Sequence, residues 1–145
     1  RGGGGKAARS TRPAGKMGEA IAAPDSVRAT QAADRLGRQM AAFHAQWDVL
    51  LTPGLSSPAL KLGWLDMMMD DVDEYWRRVF NFSPFTVWFN LTGQPALMLL
   101  LDQSAGGLPL AVQLVGRFGD EATLIRLGAQ LESARPWFGR KPALV

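Results

Sequence analysis

The sequence predicts an α/β fold, a small mixed sheet with an antiparallel hairpin flanked by helices. Three observations carry this expectation. Residues 27–47 and 120–131 repeat apolar positions at spacings of three and four, the period of a helix with one buried face. Between them lie two short apolar runs, 96–101 and 109–115. The segment joining those runs contains Gly106-Gly107, which makes a chain reversal easy. With 145 residues, 47% of them hydrophobic, the chain has material for one core.

Taken in order, residues 1–18 (RGGGGKAARSTRPAGKMG) hold four consecutive glycines and almost nothing apolar, and read as a disordered tail or linker. Asp25 or Ser26 is the expected N-cap of the first helix, whose apolar stripe is Val27, Ala29, Ala33, Leu36, Met40, Phe43 and Trp47. His44, at the end of that helix, reads as a surface or capping residue. Residues 48–53 (DVLLTP) form an apolar run closed by proline, which suits a strand ending in a loop. The loop that follows, Gly54 to Gly63, is longer than a simple connection and is a natural place for a binding site. Asp71 or Asp73 can then start a short helix carrying Trp76, Val79 and Phe80. An irregular segment leads through Asn90 and Pro95 into the hairpin, with Pro95 placed just before the strand, where a missing N–H costs least. Asp120 caps the last helix, which points Leu124, Leu127 and Leu131 inward.

Composition excludes several kinds of chemistry. There is no cysteine, so thiolate nucleophiles, disulfides and cysteine-bound zinc are out. A single histidine rules out a multi-histidine metal site within the chain, and no Ser-His-Asp grouping is suggested. The formal charge of +3 belongs to one end. Residues 1–16 carry five basic residues and no acid, while the rest holds 11 basic residues against all 13 acids. Without interleaved aromatics that end reads as a solvated tail, and no nucleic-acid partner is expected. The acids Asp66, Asp70, Asp71, Asp73 and Glu74 lack an EF-hand spacing and suit a helix start, so no metal site is assigned. No apolar run reaches the roughly 18–20 residues that cross a bilayer, and no signal-peptide pattern opens the chain. No membrane partner is expected, and the expected address is the cytoplasm. The start at Arg1, without methionine, reads as a piece of a longer or truncated protein. Ser57 and Lys61 are the only spacing that could suggest a serine–lysine pair, and there is no G-x-S-x-G elbow.

Longer motifs say more. Phe82-Ser83-Pro84-Phe85-Thr86, Phe89-Asn90-Leu91-Thr92-Gly93-Gln94-Pro95-Ala96, Gly107-Leu108-Pro109-Leu110 and the run from Val112 to Glu121 occur in that order, followed by Gln130-Leu131-Glu132. Together with Asp48 to Pro53 and the helix before it, they resemble the C-terminal part of the amidase signature family, from about residue 19 to the end. Residues 19–145 are accordingly expected to be part of an amidase-like domain. The resemblance implies a fragment of a large α/β fold that hydrolyses carboxylic amides through a serine, a second serine in a cis peptide and a lysine. Those three belong to a glycine- and serine-rich portion with no counterpart here, so no catalytic residue is carried over and the chain alone is expected to be inactive. No cofactor is implied.

By the same resemblance the loop Gly54 to Trp64 and the segment Phe85 to Asn90 approach substrate. Trp64, Phe85, Trp88 and Asn90 are therefore the expected substrate-binding residues, suited to an apolar or aryl amide. The partner would be a small-molecule amide, once the N-terminal half completes the pocket. The alternative is a noncatalytic binding or assembly module that pairs its exposed sheet with a partner, and a homodimer is admissible. The chain departs from the family pattern at Met98, Leu100, Asp102 and Ala111, where serine, proline, glycine and glycine are usual, so a more regular strand is expected there.

Overall fold

The computed structural model describes residues 11–140. Its elements are α1 (Thr11–Glu19), α2 (Ala23–His44), β1 (Leu50–Pro53), α3 (Val72–Phe82), α4 (Thr86–Thr92), β2 (Ala96–Gln103), β3 (Pro109–Val115) and α5 (Glu121–Ala134). The three strands form one sheet in the order β1-β3-β2. Both pairings are antiparallel, so the mixed sheet expected from sequence is purely antiparallel among the described residues. The reason is topological, since β3 turns back on β2 through the Gly106-Gly107 reversal and β1 joins its other edge with no parallel crossover between them.

The hairpin register sets the core. Leu97 lies opposite Leu114 and Leu99 opposite Val112, which puts these four side chains on one face of the sheet. Helix α5 covers that face, with Leu124 only 2% exposed against Leu99 and Leu114, and with Leu127 and Leu131 packed around them. Each fully buried leucine contributes on the order of 1.5–3 kcal/mol through burial of its apolar surface. The approach is close at Gly128, where a Cβ would come within 2.7 Å of Leu97 Cδ2. Asp120 caps α5 as expected, accepting from the Thr123 hydroxyl at 2.9 Å and, more weakly, from its N–H. Strand β2 runs on to Gln103 with a bulge between Leu100 and Asp102, within the stretch that departs from the family pattern.

The opposite face of the sheet carries Thr52, Gln113 and Met98 in register. Gln113 is buried and donates from Nε2 to Thr52 Oγ1 at 3.3 Å, so its amide nitrogen is satisfied. Gly54 continues from β1 into the following loop with its N–H on the Ala111 carbonyl at 2.9 Å. A Cβ at Gly54 would meet Met98 Sδ at 2.7 Å and Ala111 O at 3.0 Å, so only glycine lets the chain leave the sheet there.

A second layer differs from the sequence reading. Residues 86–92 form the helix α4 where an irregular lead-in was expected. Phe89 is buried at 7% exposure beside α2. Gly93 ends α4 in the left-handed region (φ 74°), donating its N–H to Phe89 O at 2.9 Å. Pro95 then stands immediately before β2 and accepts from Gly116 N at 3.0 Å. Helix α2 begins at Ala23, ahead of the expected caps Asp25 and Ser26, because Pro24 fits the first helical turn and Asp25 pairs with Arg28. Of the stretch read as a tail, residues 1–10 lie outside the described residues, while Thr11–Glu19 is helical. Its residues from Gly15 on are exposed, which is why no buried apolar stripe marked it.

Candidate functional site

The loop after β1 is held at both ends by α3. At its start, Ser56 N and Ser56 Oγ both donate to the Phe82 carbonyl, at 3.0 and 3.2 Å. At its end, Arg78 Nη1 donates to the Trp64 carbonyl at 3.0 Å, and the same guanidinium lies 5.1 Å from the Trp64 ring centroid. Glu74 fixes that arginine through Nε at 2.7 Å and also accepts from Arg77 at 2.6 and 2.8 Å. Asp71 caps α3 with a 2.9 Å bond from Glu74 N, and Asp66 accepts from Met68 N, which gives these acids roles within the backbone.

Hydrogen bonds from Arg77 and Arg78, with their charges, lower the Glu74 carboxyl from the usual 4.5 to about 2. A lowered folded-state value means that this contribution to stability is present in full above about pH 4.5 and is lost as pH falls toward 2. Glu74→Gln is therefore expected to lower the melting temperature at neutral pH, with the difference from the parent chain closing between those two pH values. A gap that persists unchanged below pH 2 would show that the ionised carboxylate is not what matters.

Between this loop and the sheet lies a groove of about 1000 Å³. Its walls are apolar: Leu55, Leu60 and Leu62 from the loop, Leu100 and Leu110 from the hairpin, and Phe82 from α3. Among the described residues, Lys61 is the only charged one lining it. Such a surface suits the apolar body of a ligand, with few polar groups to orient it. The hydroxyls do not form a nucleophilic pair. Ser56 Oγ is on Phe82 O, and Ser57 Oγ donates to Pro58 O at 3.2 Å rather than to Lys61.

The four residues expected at the substrate do not share this groove. Trp64 sits under Arg78, while Gly63 and Leu65 on either side of it face the groove. Phe85 is the half-buried residue preceding α4. Trp88 is 52% exposed and lines an apolar cleft between α2 and α4 with Leu36 and Met40. Asn90 is an exposed residue of α4. Leu55, Leu60 and Leu62 of the groove belong to the loop Gly54 to Trp64 expected to approach substrate, though none is among the four expected residues. Their signal was the run Leu60, Leu62 and Leu65 inside a loop otherwise rich in turn formers.

His44 also departs from expectation, being 2% exposed rather than on the surface. Its Nδ1 faces the Trp47 carbonyl at 3.1 Å, so the ring does cap the end of α2, but from inside. Arg117 closes the same corner, donating from Nε to His44 O at 2.8 Å and from Nη2 to Asp48 Oδ1 at 3.1 Å. These bonds tie the end of α2 to the residue pair following β3.

Residues 8–125 match the Amidase family. The chain belongs to that family. This amidase-family chain is 40% identical over 146 residues to the putative amidase AmiB2 of Mycobacterium tuberculosis, an alignment covering 87% of the chain and 31% of that protein. It is 37% identical over 109 residues to the 6-aminohexanoate-cyclic-dimer hydrolase of Paenarthrobacter ureafaciens, covering 71% of the chain and 22% of that protein. Among solved structures, 6-aminohexanoate cyclic dimer hydrolase complexed with substrate superposes with a TM-score of 0.76 at 28% identity, over 93% of this chain and 29% of the other. A crystal structure of an amidase gives 0.71 at 26% identity, over 86% and 28%. The amidase-family chain thus spans about a third or less of the relatives it matches. No helix among its described residues is long and apolar enough to cross a membrane.

Proposed function

We propose that this chain is the C-terminal portion of a carboxylic amide hydrolase, contributing sheet, outer helices and one wall of the substrate pocket, and that it does not hydrolyse amides alone. The observation that carries this reading is the apolar groove over the sheet, whose Ser56 and Ser57 hydroxyls are both committed to main-chain carbonyls. A pocket wall without an activated nucleophile binds the body of a substrate and leaves bond cleavage to groups elsewhere. Family membership and the amide-hydrolase names of the relatives support amides as the substrate class. An apolar lining favours uncharged, apolar amides over charged ones.

The test is direct. Purified 145-residue chain is expected to show no turnover of hexanamide or benzamide above background. Turnover that disappears in Ser57→Ala would overturn the proposal and establish a serine–lysine pair.

One observation favours assembly with further polypeptide. Among the described residues only Phe89, Leu99, Leu114, Val115 and Leu124 are buried hydrophobics, whereas Leu62, Phe118, Trp47, Leu51 and Trp88 are all more than half exposed. So much exposed apolar surface marks an interaction face. Aggregation or broad unfolding of the isolated chain supports a fragment, and a monodisperse, sharply melting monomer supports an independent module.

A further inference from the structure

Residues 57–63 run along the groove between two attachments to α3. The near end is fixed by Gly54 N on the Ala111 carbonyl and by the Ser56 bonds to the Phe82 carbonyl. Residues 57–63 themselves make no hydrogen bond to the sheet or to α3 among the described residues. The far end depends on one side chain. Arg78 Nη1 donates to the Trp64 carbonyl, and from residues 57–66 this is the only hydrogen bond to α3 among the described residues. Leu60, Leu62 and Gly63, just before this attachment, line the groove, and Leu62 is fully exposed, so a ligand can reach it.

Arg78 is suited to this task and Arg77 is not. Both donate to Glu74, but only Arg78 also reaches the loop. The Arg78 side chain is 28% exposed against 63% for Arg77, so solvent screens its interactions less. Its guanidinium holds Glu74 with Nε and the Trp64 carbonyl with Nη1 while its central carbon stands over the Trp64 ring at 5.1 Å. Two separate nitrogens in one plane allow both bonds at once, whereas a lysine ammonium is a single point donor on a flexible stem. Without the far attachment the segment gains conformational freedom, and a ligand has to order it on binding, which weakens affinity.

We propose that Arg78 is a positioning residue for the groove, the side chain that holds residues 57–64 against α3 and so keeps Leu60 and Leu62 in place as a wall. Its consequence for ligands rests on the reading of the groove as a substrate wall. In the isotope-labelled full chain, Arg78→Ala is expected to lower the ¹H–¹⁵N heteronuclear NOE of the 59–63 amides, a measure of fast backbone motion. It is also expected to raise the Kd for hexanamide, followed at the Leu60 and Leu62 methyls, about tenfold, which corresponds to about 1.4 kcal/mol. Alanine is a good helix former, so α3 itself is not weakened by propensity.

Arg77→Ala removes two bonds to Glu74 and none to the loop, and is expected to leave both readouts at parent values. Arg78→Lys keeps the charge and is expected to show the same loss of loop order as Arg78→Ala. Should Arg78→Ala unfold, Arg78→Lys carries the test. Ion pairing that merely stabilises α3 would make Arg77→Ala behave like Arg78→Ala, and charge alone would be restored by Arg78→Lys. Either result overturns the proposal, as does unchanged loop order in Arg78→Ala. If loop order responds as expected while the parent chain does not bind hexanamide, the reading of the groove falls and the role of Arg78 in holding the loop stands.

Discussion

Leu124→Ala is expected to lower the unfolding free energy by about 3 kcal/mol, within the range of about 2–5 kcal/mol for a leucine removed from a packed core. Leu124 is 2% exposed and packs between Leu99 and Leu114, and its Cγ would lie 3.2 Å from a Cβ at Gly116. Alanine there loses the transfer term and leaves a cavity that a sheet fixed by two ladders is slow to fill. A domain of ordinary stability has roughly 5–15 kcal/mol in total, so a core this small would lose much of its margin. Urea unfolding should show a lower midpoint at unchanged slope. Ile125, one residue further on, is 65% exposed, and Ile125→Ala should stay within about 0.5 kcal/mol of the parent. Equal losses at the two positions would refute the placement of α5 on the hairpin.

Phe89→Ala is expected to cost about 3–5 kcal/mol and to act on a different part of the chain. Phe89 is the buried residue of α4, a helix of seven residues. A helix that short does not persist in water without packing. Removing the aromatic ring should therefore melt α4 as well as loosen it from α2. Hydrogen exchange is the discriminating measurement, with the amides of α4 and the Gly93 N–H losing protection before those of β3. Trp88→Ala, at a 52% exposed position of the same helix, should cost much less. If protection in β3 falls in parallel with that in α4, the two layers unfold as one unit and the separation is wrong.

Elements announced by contiguous residues were legible in the sequence. Strand β3 occupies the predicted residues 109–115, and the caps Asp71 and Asp120 accept the bonds expected of them. The position of Pro95 before β2 was legible for the same reason, since a missing N–H constrains the chain locally. Helix α4 was not, because Thr-Val-Trp-Phe-Asn-Leu-Thr is rich in β-branched and aromatic residues of low helix propensity. The one local mark it carries is Gly93, whose left-handed conformation ends it. His44 was misplaced because helical periodicity locates a face, while burial depends on what covers it. Here the His44 carbonyl is met by Arg117, 73 residues away in sequence.

The candidate site divides along the same line. Its family was legible, because motifs such as Asn90 to Ala96 and Val112 to Glu121 are contiguous and survive as text. Its lining was not. The aromatic residues singled out lie in separate places, with Trp64 beneath Arg78 and Trp88 against α2. The leucines that do line the groove are brought together by the pairing of β1 with β3 and by the Ser56–Phe82 bonds.

By itself, then, the sequence determined the order and type of most elements, the helix caps, the hairpin and the family, because each rests on interactions within a few residues or on a motif read in order. Only the tertiary structure decided the antiparallel joining of β1 to β3, the burial of His44 and the walls of the groove. Those depend on pairs such as Thr52 with Gln113, 61 residues apart, whose meeting is selected by the packing of the whole sheet and its helices rather than by either segment.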